Sequence, residues 1–322
     1  MTKWGTQDSE LLYNVSNWGR GFFGINAEGH LEATPNGPGG PSIDFYELLG
    51  QILRRGVSAP LLLRFDGILR TRVRQINEAF NEARNAFGYQ APYRGVYPIK
   101  VNQERHVVET LLGEGRQYGM GLEVGSKPEL LAGIALQAGE GSLMICNGYK
   151  DEEYVEMALL SSQLGITAII VIEKFTELGT ILEASQRLGI RPMIGVRSKL
   201  SIRGSGRWQN SVGDRSKFGL TTREIVAVVE ELKAQSMLDC LQLLHFHIGS
   251  QITHIGSVKQ AMREATNMLN GLFRMGATIK WFDAGGGLGV DYDGSRTNFD
   301  SSMNYTLQEY ASDIVWALGE AC

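Results

Sequence analysis

The chain has 322 residues, 43% hydrophobic and 20% charged, with 31 basic and 35 acidic side chains and a formal net charge of -4. That balance excludes an extended disordered polymer, which needs low hydrophobicity and high net charge, and it provides no basic excess for a nucleic-acid partner. The N-terminus has no signal-peptide pattern, and apolar runs such as 168–172 fall far short of the roughly 20 residues of a membrane span, so a soluble cytoplasmic protein is expected.

In chain order, 18–26 alternates aromatic and small residues, 27–30 reads as a turn and 31–34 as a second short strand. The run 35–41, Pro-Asn-Gly-Pro-Gly-Gly-Pro, sustains no regular element. Residues 1–50 therefore read as a β-hairpin with a Gly/Pro linker, and 51–322 as the main domain. From about residue 59, short β-branched runs alternate with stretches of helical period. The runs are 60–65, 95–101, 119–124, 142–147, 167–172, 192–197, 241–248 and 279–284. Helical segments are read at 151–164, 174–188, 221–235, 257–275 and about 302–322, several ending in glycine. Ser126, Pro128 and Glu129 fit a helix start after the 119–124 run.

Strands alternating with helices imply parallel pairing with right-handed crossovers. An open doubly wound sheet and a (β/α)8 TIM-type barrel both fit. The glycine cluster follows the last strand, not the first, which favours the barrel, whose phosphate site commonly follows strands 7 and 8. From 95–101 onward there are seven strands. The expectation is a barrel lacking its last strand, in a chain cut short, with an irregular open sheet as the alternative.

Four segments carry candidate chemistry. Lys100 stands at the carboxyl end of the first barrel strand, the active-site end of this fold, where desolvation would make it an amine nucleophile; a lysine reaching to solvent is the plain alternative. Alternation places His245 and His247 on one strand face, as a metal pair, a surface for a planar ligand, or buried core histidines. Gly285, Gly286 and Gly287 have no evident packing use, so an anion held by backbone N–H groups is expected there, with Ser250 as an added donor. Glu123 and Arg197 also stand at strand ends, and the loop 199–219 carries Arg203, Arg207, Arg215 and Lys217. The three cysteines, Cys146, Cys240 and Cys322, include no CxxC, so neither disulfides nor zinc are indicated.

Taken together, YRGVYPIKVNQ, LEVGSKPEL, HFHIGSQI and FDAGGGLGVDYDGS resemble the motifs of the fold-type III pyridoxal-phosphate decarboxylases, whose barrel is of the alanine racemase kind. WGRGFFGINAEGH and RGSGRWQNSVGDRSKFGL are similar to the large arginine-specific branch. The resemblance implies decarboxylation of L-arginine to agmatine, a step toward polyamines. It implies pyridoxal 5'-phosphate as cofactor, Mg2+ as a companion, and a homo-oligomer with no nucleic-acid or membrane partner. It assigns Lys100 to the cofactor aldehyde and His247 to the pyridine face, with both as catalytic residues. Ser250 and Gly285 to Gly287 would hold the phosphate, and Glu123 and Arg197 would lie beside the ring. Phe282, Asp283, Gly289, Asp291 and Tyr292 would line the substrate, with Asp291 or Asp293 for its guanidinium. The family's eighth strand and its C-terminal β domain are expected beyond Cys322, so the chain alone is expected to be inactive or nearly so. The rival expectations are another amino-acid decarboxylase of the same fold, a non-catalytic pyridoxal-phosphate carrier barrel, and a phosphate-binding barrel enzyme without the cofactor.

Overall fold

The computed structural model describes residues 3–137, 139, 141–201 and 218–321. Seven strands form one parallel sheet: β4 (Val96–Pro98), β5 (Gly121–Val124), β6 (Ser142–Cys146), β7 (Ile166–Ile172), β8 (Met193–Arg197), β9 (Leu241–His245) and β10 (Trp281–Asp283). Each pairs with its sequence neighbour, in the order β10-β9-β8-β7-β6-β5-β4. A doubly wound sheet reverses its strand order partway. Here the order never reverses, which is the winding of a barrel wall.

The helices between strands are α5 (Arg105–Gly115), α6 (Lys127–Gln137), α7 (Glu152–Ser161), α8 (Glu177–Leu188), α9 (Thr222–Ala234) and α10 (Ile255–Arg274), and α11 (Leu307–Ala321) follows β10. Thr221 and Glu224 close a reciprocal capping box on α9. Glu129 caps the backbone N–H of Gly125 at 2.7 Å before α6, so the turn signal read there is structural.

Alternation along the strands divides two cores. Leu143, Ile145, Ile169, Val171 and Leu243 cluster on the inner face. Met144, Cys146, Ile170, Ile172 and Leu244 pack outward, in the larger cluster that includes the helices. The outer strands β4 and β10 do not pair with each other. Instead α4 (Asp66–Phe87), which precedes β4, packs against α11. Gln308 Nε2 donates to the Ala79 carbonyl at 3.1 Å, and Phe80 meets Tyr310 edge-on at 6.4 Å. Inside this closure lies a cavity of about 440 Å³, bordered by Val96, Ile145, Leu243, Trp281 and the glycines 285–287.

Near the N-terminus, β1 (Phe23–Ile25) and β2 (Leu31–Ala33) form the expected hairpin, with Phe23 opposite Ala33. Trp18 and Gly19, read as strand, instead end a short helix, α2 (Val15–Gly19), after α1 (Thr6–Tyr13). Beyond the Gly/Pro run a third strand, β3 (Ile43–Asp44), pairs with β2 and leads into α3 (Phe45–Arg54). The run 60–65 is not a strand. It pairs with no strand among the described residues, and Leu62 is 77% exposed. No helix among the described residues is long and apolar enough to cross a membrane.

Candidate active site

The carboxyl ends of parallel strands converge at one mouth, so residues just past each strand meet although they lie far apart in sequence. After β4 the chain makes a short 3-10 turn, Ile99–Val101, which presents Lys100. Its Nζ lies 3.4 Å from Glu123 Oε1 on β5. The desolvated setting expected for this lysine is not there, because its side chain is 64% exposed. Glu123 is buried, and the same oxygen accepts Nδ2 of Asn147 at 3.0 Å.

Arg197 ends β8, where its Nη1 donates to Glu173 Oε1 at 2.9 Å and its guanidinium lies over Phe218. Burial alone would raise the Glu173 carboxyl. Attraction to Arg197 and Lys150, with hydrogen bonds from Arg197 and the Gly148 N–H, outweighs it and holds Glu173 below the usual carboxylate range. Asn147 and Glu173 were missed in the sequence. The signal was available, since each is the residue following a strand (β6 and β7).

β9 ends at His245, so strict alternation does not reach His247. His245 is buried, with Nδ1 3.0 Å from Asp283 Oδ2, whereas His247 retains access to solvent. Burial would raise Asp283, yet its attraction to and hydrogen bond with His245, together with the Gly285 N–H, hold it low. Among the described residues no group of three or more His, Cys, Asp and Glu converges as a metal site. Nδ1 of His245 pairs with Asp283 and Nδ1 of His247 with the Gly286 N–H, so neither of these nitrogens is open to a metal, and Mg2+ has only the resemblance behind it.

His247 Nδ1 accepts the Gly286 N–H at 3.2 Å, which places the ring proton of the neutral form on Nε2. Crowding by surrounding protein, then His245, Arg197 and Lys100, push its pKa down to about 4, with Asp283 opposing. His247 therefore stays neutral at pH 7. The unfolded chain binds this proton below about 6.5 and the folded chain only below about 4, so this residue's contribution to stability falls as pH drops from 6.5 to 4. Nitrogen-15 NMR of labelled histidine should show no protonation of His247 between pH 5.5 and 8. A midpoint near 6.5 would contradict that.

The loops after β9 and β10 are zipped together. Phe246 N donates to Asp283 O at 3.1 Å, Ile252 N to Gly287 O at 2.9 Å, and Gln251 bonds both ways with Val290. This revises the reading that the glycines have no packing use. Gly285 and Gly287 have φ of 68° and 100°. A Cβ on them would stand 2.4 Å from the Phe246 carbonyl oxygen and 2.3 Å from that of Gly249. Gly286 differs, since a Cβ there meets only His247 Cε1 at 3.9 Å. The N–H groups of Gly285 and Gly286 are taken by Asp283 and His247. Among the described residues those of Gly249, Ser250 and Gly287 have no protein acceptor, which leaves them open to an anion.

The remaining expected residues lie on β10 and along the loop that follows it. Phe282 is half-buried against Phe246, Gly289 N donates to Tyr305 Oη at 3.0 Å, and Tyr292 is exposed. Asp291 is buried. It accepts Ser302 Oγ at 2.6 Å and already pairs with a guanidinium, that of Arg20 at 3.4 Å. Asn14 holds the carbonyl of Asp293 at 2.8 Å, so the N-terminal segment braces this loop. Arg203, Arg207, Arg215 and Lys217 lie outside the described residues, as does Cys322.

The site fits a phosphorylated ring bearing an aldehyde. It offers an accessible amine, N–H groups open to an anion, and a buried carboxylate oxygen, Glu123 Oε2, with no partner among the described residues. Comparison with known proteins agrees. Residues 73–322 match the family model of the pyridoxal-dependent decarboxylase, pyridoxal binding domain. Biosynthetic arginine decarboxylases from Thermosynechococcus vestitus and Gloeobacter violaceus are each 52% identical over the whole of this chain, which covers 50% of each. The crystal structure of the biosynthetic arginine decarboxylase from Campylobacter jejuni superposes with a TM-score of 0.82 at 35% identity, over 96% of this chain and 49% of that one. The chain thus spans about half the length of the relatives it matches. The chain belongs to the pyridoxal-dependent decarboxylase family, and residues 73–322 are its pyridoxal binding domain.

Proposed function

We propose that the whole protein decarboxylates L-arginine to agmatine and CO2 with pyridoxal 5'-phosphate, as an entry to polyamine synthesis in the cytoplasm. The observation that carries this reading is the meeting of Lys100 with Glu123 at the strand ends, near His247, whose Nδ1 takes the N–H of Gly286 in the glycine loop that follows β10. The names of the 52% identical relatives support the choice of arginine. Two buried free thiols, Cys146 and Cys240, suit a reducing compartment.

Bound, the cofactor supplies an electron sink for the pair left when the Cα–carboxylate bond breaks. The protein's part is orientation more than acid–base work. Lys100 would hold the aldehyde carbon. The free N–H groups of Gly249, Ser250 and Gly287, with the Ser250 hydroxyl, take the phosphate, and the backbone of Gly285 and Gly286 shapes its approach. His247, neutral and pinned by Gly286, would meet the ring without adding a positive charge. Glu123 and Arg197 stand beside the ring, Glu123 with one oxygen still free to accept a donor. Phe282, Asp283, Gly289, Asp291 and Tyr292 form the substrate side. Because Asp291 already holds Arg20, Asp293 is the more accessible carboxylate for the substrate guanidinium. A homo-oligomer is part of the same proposal.

Carbon dioxide release from carboxyl-labelled arginine, ornithine and lysine tests the reading. The assay uses protein expressed with whatever continuation its reading frame carries. Arginine should turn over at least about 10-fold faster than either competitor, the discrimination expected when a hydrogen bond to a charged group is lost. Cofactor binding without CO2 release would favour a carrier barrel, and a preference for ornithine or lysine would refute the substrate.

A further inference from the structure

Behind the mouth lies an ion pair that the proposed reaction does not use. Lys150 follows β6 and Glu177 opens α8. Their side chains are 0% and 3% exposed, with Nζ and Oε2 3.3 Å apart. Taking both charges out of water is costly, and apolar pairs of similar volume commonly replace such bridges with equal or better stability. Stability is therefore a weak reason for this pair.

Its hydrogen bonds lead to the site. Glu177 Oε2 also accepts the backbone N–H of Glu173 at 2.8 Å and of Lys174 at 3.4 Å, which fixes the turn from β7 into α8. Lys150 Nζ also donates to the carbonyl of Gly148. The N–H of Gly148 donates at 3.3 Å to Glu173 Oε1, the same oxygen that receives Arg197. Gly148 cannot shift freely, because a Cβ there would lie 2.2 Å from the Gly125 carbonyl oxygen. Glu173 is thus held at its backbone by Glu177 and at its carboxylate through Lys150 and Gly148. The charged side chains along these strand ends are Lys100, Glu123, Glu173 and Arg197, with Lys150 and Glu177 beneath them.

We infer that Lys150 and Glu177 are positioning residues: their buried pair sets the Glu173 carboxylate, which in turn fixes the Arg197 guanidinium beside the cofactor ring. The role beside the ring rests on the cofactor reading above, whereas the fixing of Arg197 does not.

The test is Lys150→Met/Glu177→Leu in the whole protein, with Glu177→Gln as a second variant if the first fails to fold. Three quantities are read: melting temperature, hydrogen exchange of the Arg197 guanidinium by nitrogen-15 NMR without cofactor, and Kd for pyridoxal phosphate. The expected result is a folded protein in which Arg197 exchanges at least about 10-fold faster and Kd rises by a similar factor, the size seen when outer partners of a bound group are removed. Unchanged Arg197 exchange in a folded variant overturns the inference, whatever the cofactor does. A wild-type protein that does not bind pyridoxal phosphate refutes the cofactor reading alone, and the exchange measurement still decides the positioning role.

Discussion

Replacing Lys100 with Ala should lower arginine decarboxylation by at least ~10³-fold while the protein stays folded, as expected for loss of a covalent catalytic group. The two effects separate because of where the side chain sits. It is 64% exposed and, among the described residues, has one side-chain partner, Glu123, at 3.4 Å. An ion pair this open to solvent contributes at most about 1 kcal/mol, so the melting temperature should move little. Lys100→Arg should be as inactive as the alanine variant. A guanidinium keeps the positive charge beside Glu123 but is not a nucleophilic amine at neutral pH. Steady-state kinetics with a thermal melt of each variant checks this. Turnover within 10-fold of wild type in either variant would remove Lys100 from the chemistry.

The second large effect divides two neighbouring glycines. Gly287→Ala should cost about 2–4 kcal/mol of stability, from a β-carbon forced into a left-handed backbone and overlap with the facing loop. The overlap is specific, with the new carbon 2.3 Å from the Gly249 oxygen and 2.7 Å from Ile252 Cδ1. Gly286→Ala should leave stability within about 0.5 kcal/mol, as for substitutions that touch no packed neighbour. Its effect should fall on pyridoxal phosphate, whose approach to the free N–H groups a methyl group would crowd. Urea unfolding and a cofactor titration of both variants check the division. Equal destabilisation of the two, or a Gly286 variant with unchanged cofactor affinity, would contradict it.

Much of the barrel wall was legible in the sequence because most strands are short apolar runs, several of them β-branched, stopped by polar or glycine residues. Parallel strands of this kind are buried on both faces, so the runs are unbroken, as in Ile166–Ile172. The long helix α4 was missed although its pattern was present. Ile68, Leu69, Val73, Ile76, Phe80 and Ala83 recur at helical spacing, but no motif drew attention to them. The N-terminal elements were less accessible. β3 is two residues long, and α1 and α2 are held by contacts such as Arg20 with Asp291, 271 positions away. Local propensity carries no trace of such a partner.

The same division applies at the mouth. Lys100, Glu123, Arg197 and His247 could be read because a barrel gathers its strand ends. The state of each could not. His247 owes its lowered pKa to crowding by surrounding protein and to His245, Arg197 and Lys100, and Asp291 is buried against Ser302 and Arg20. Lys150 and Glu177 look like ordinary surface charges in sequence, since loops and helix starts commonly carry such residues outward. Only the fold shows that both point inward. The glycines misled in part. Two of the three serve the seam between loops, and the sequence does not distinguish them from the one with open space.

Borohydride reduction of the protein loaded with pyridoxal phosphate, followed by peptide mapping, tests the central claim most directly. A single pyridoxyl label on Lys100 is the predicted result. A label on another lysine in its place, or no label on protein carrying its full reading frame, would contradict it.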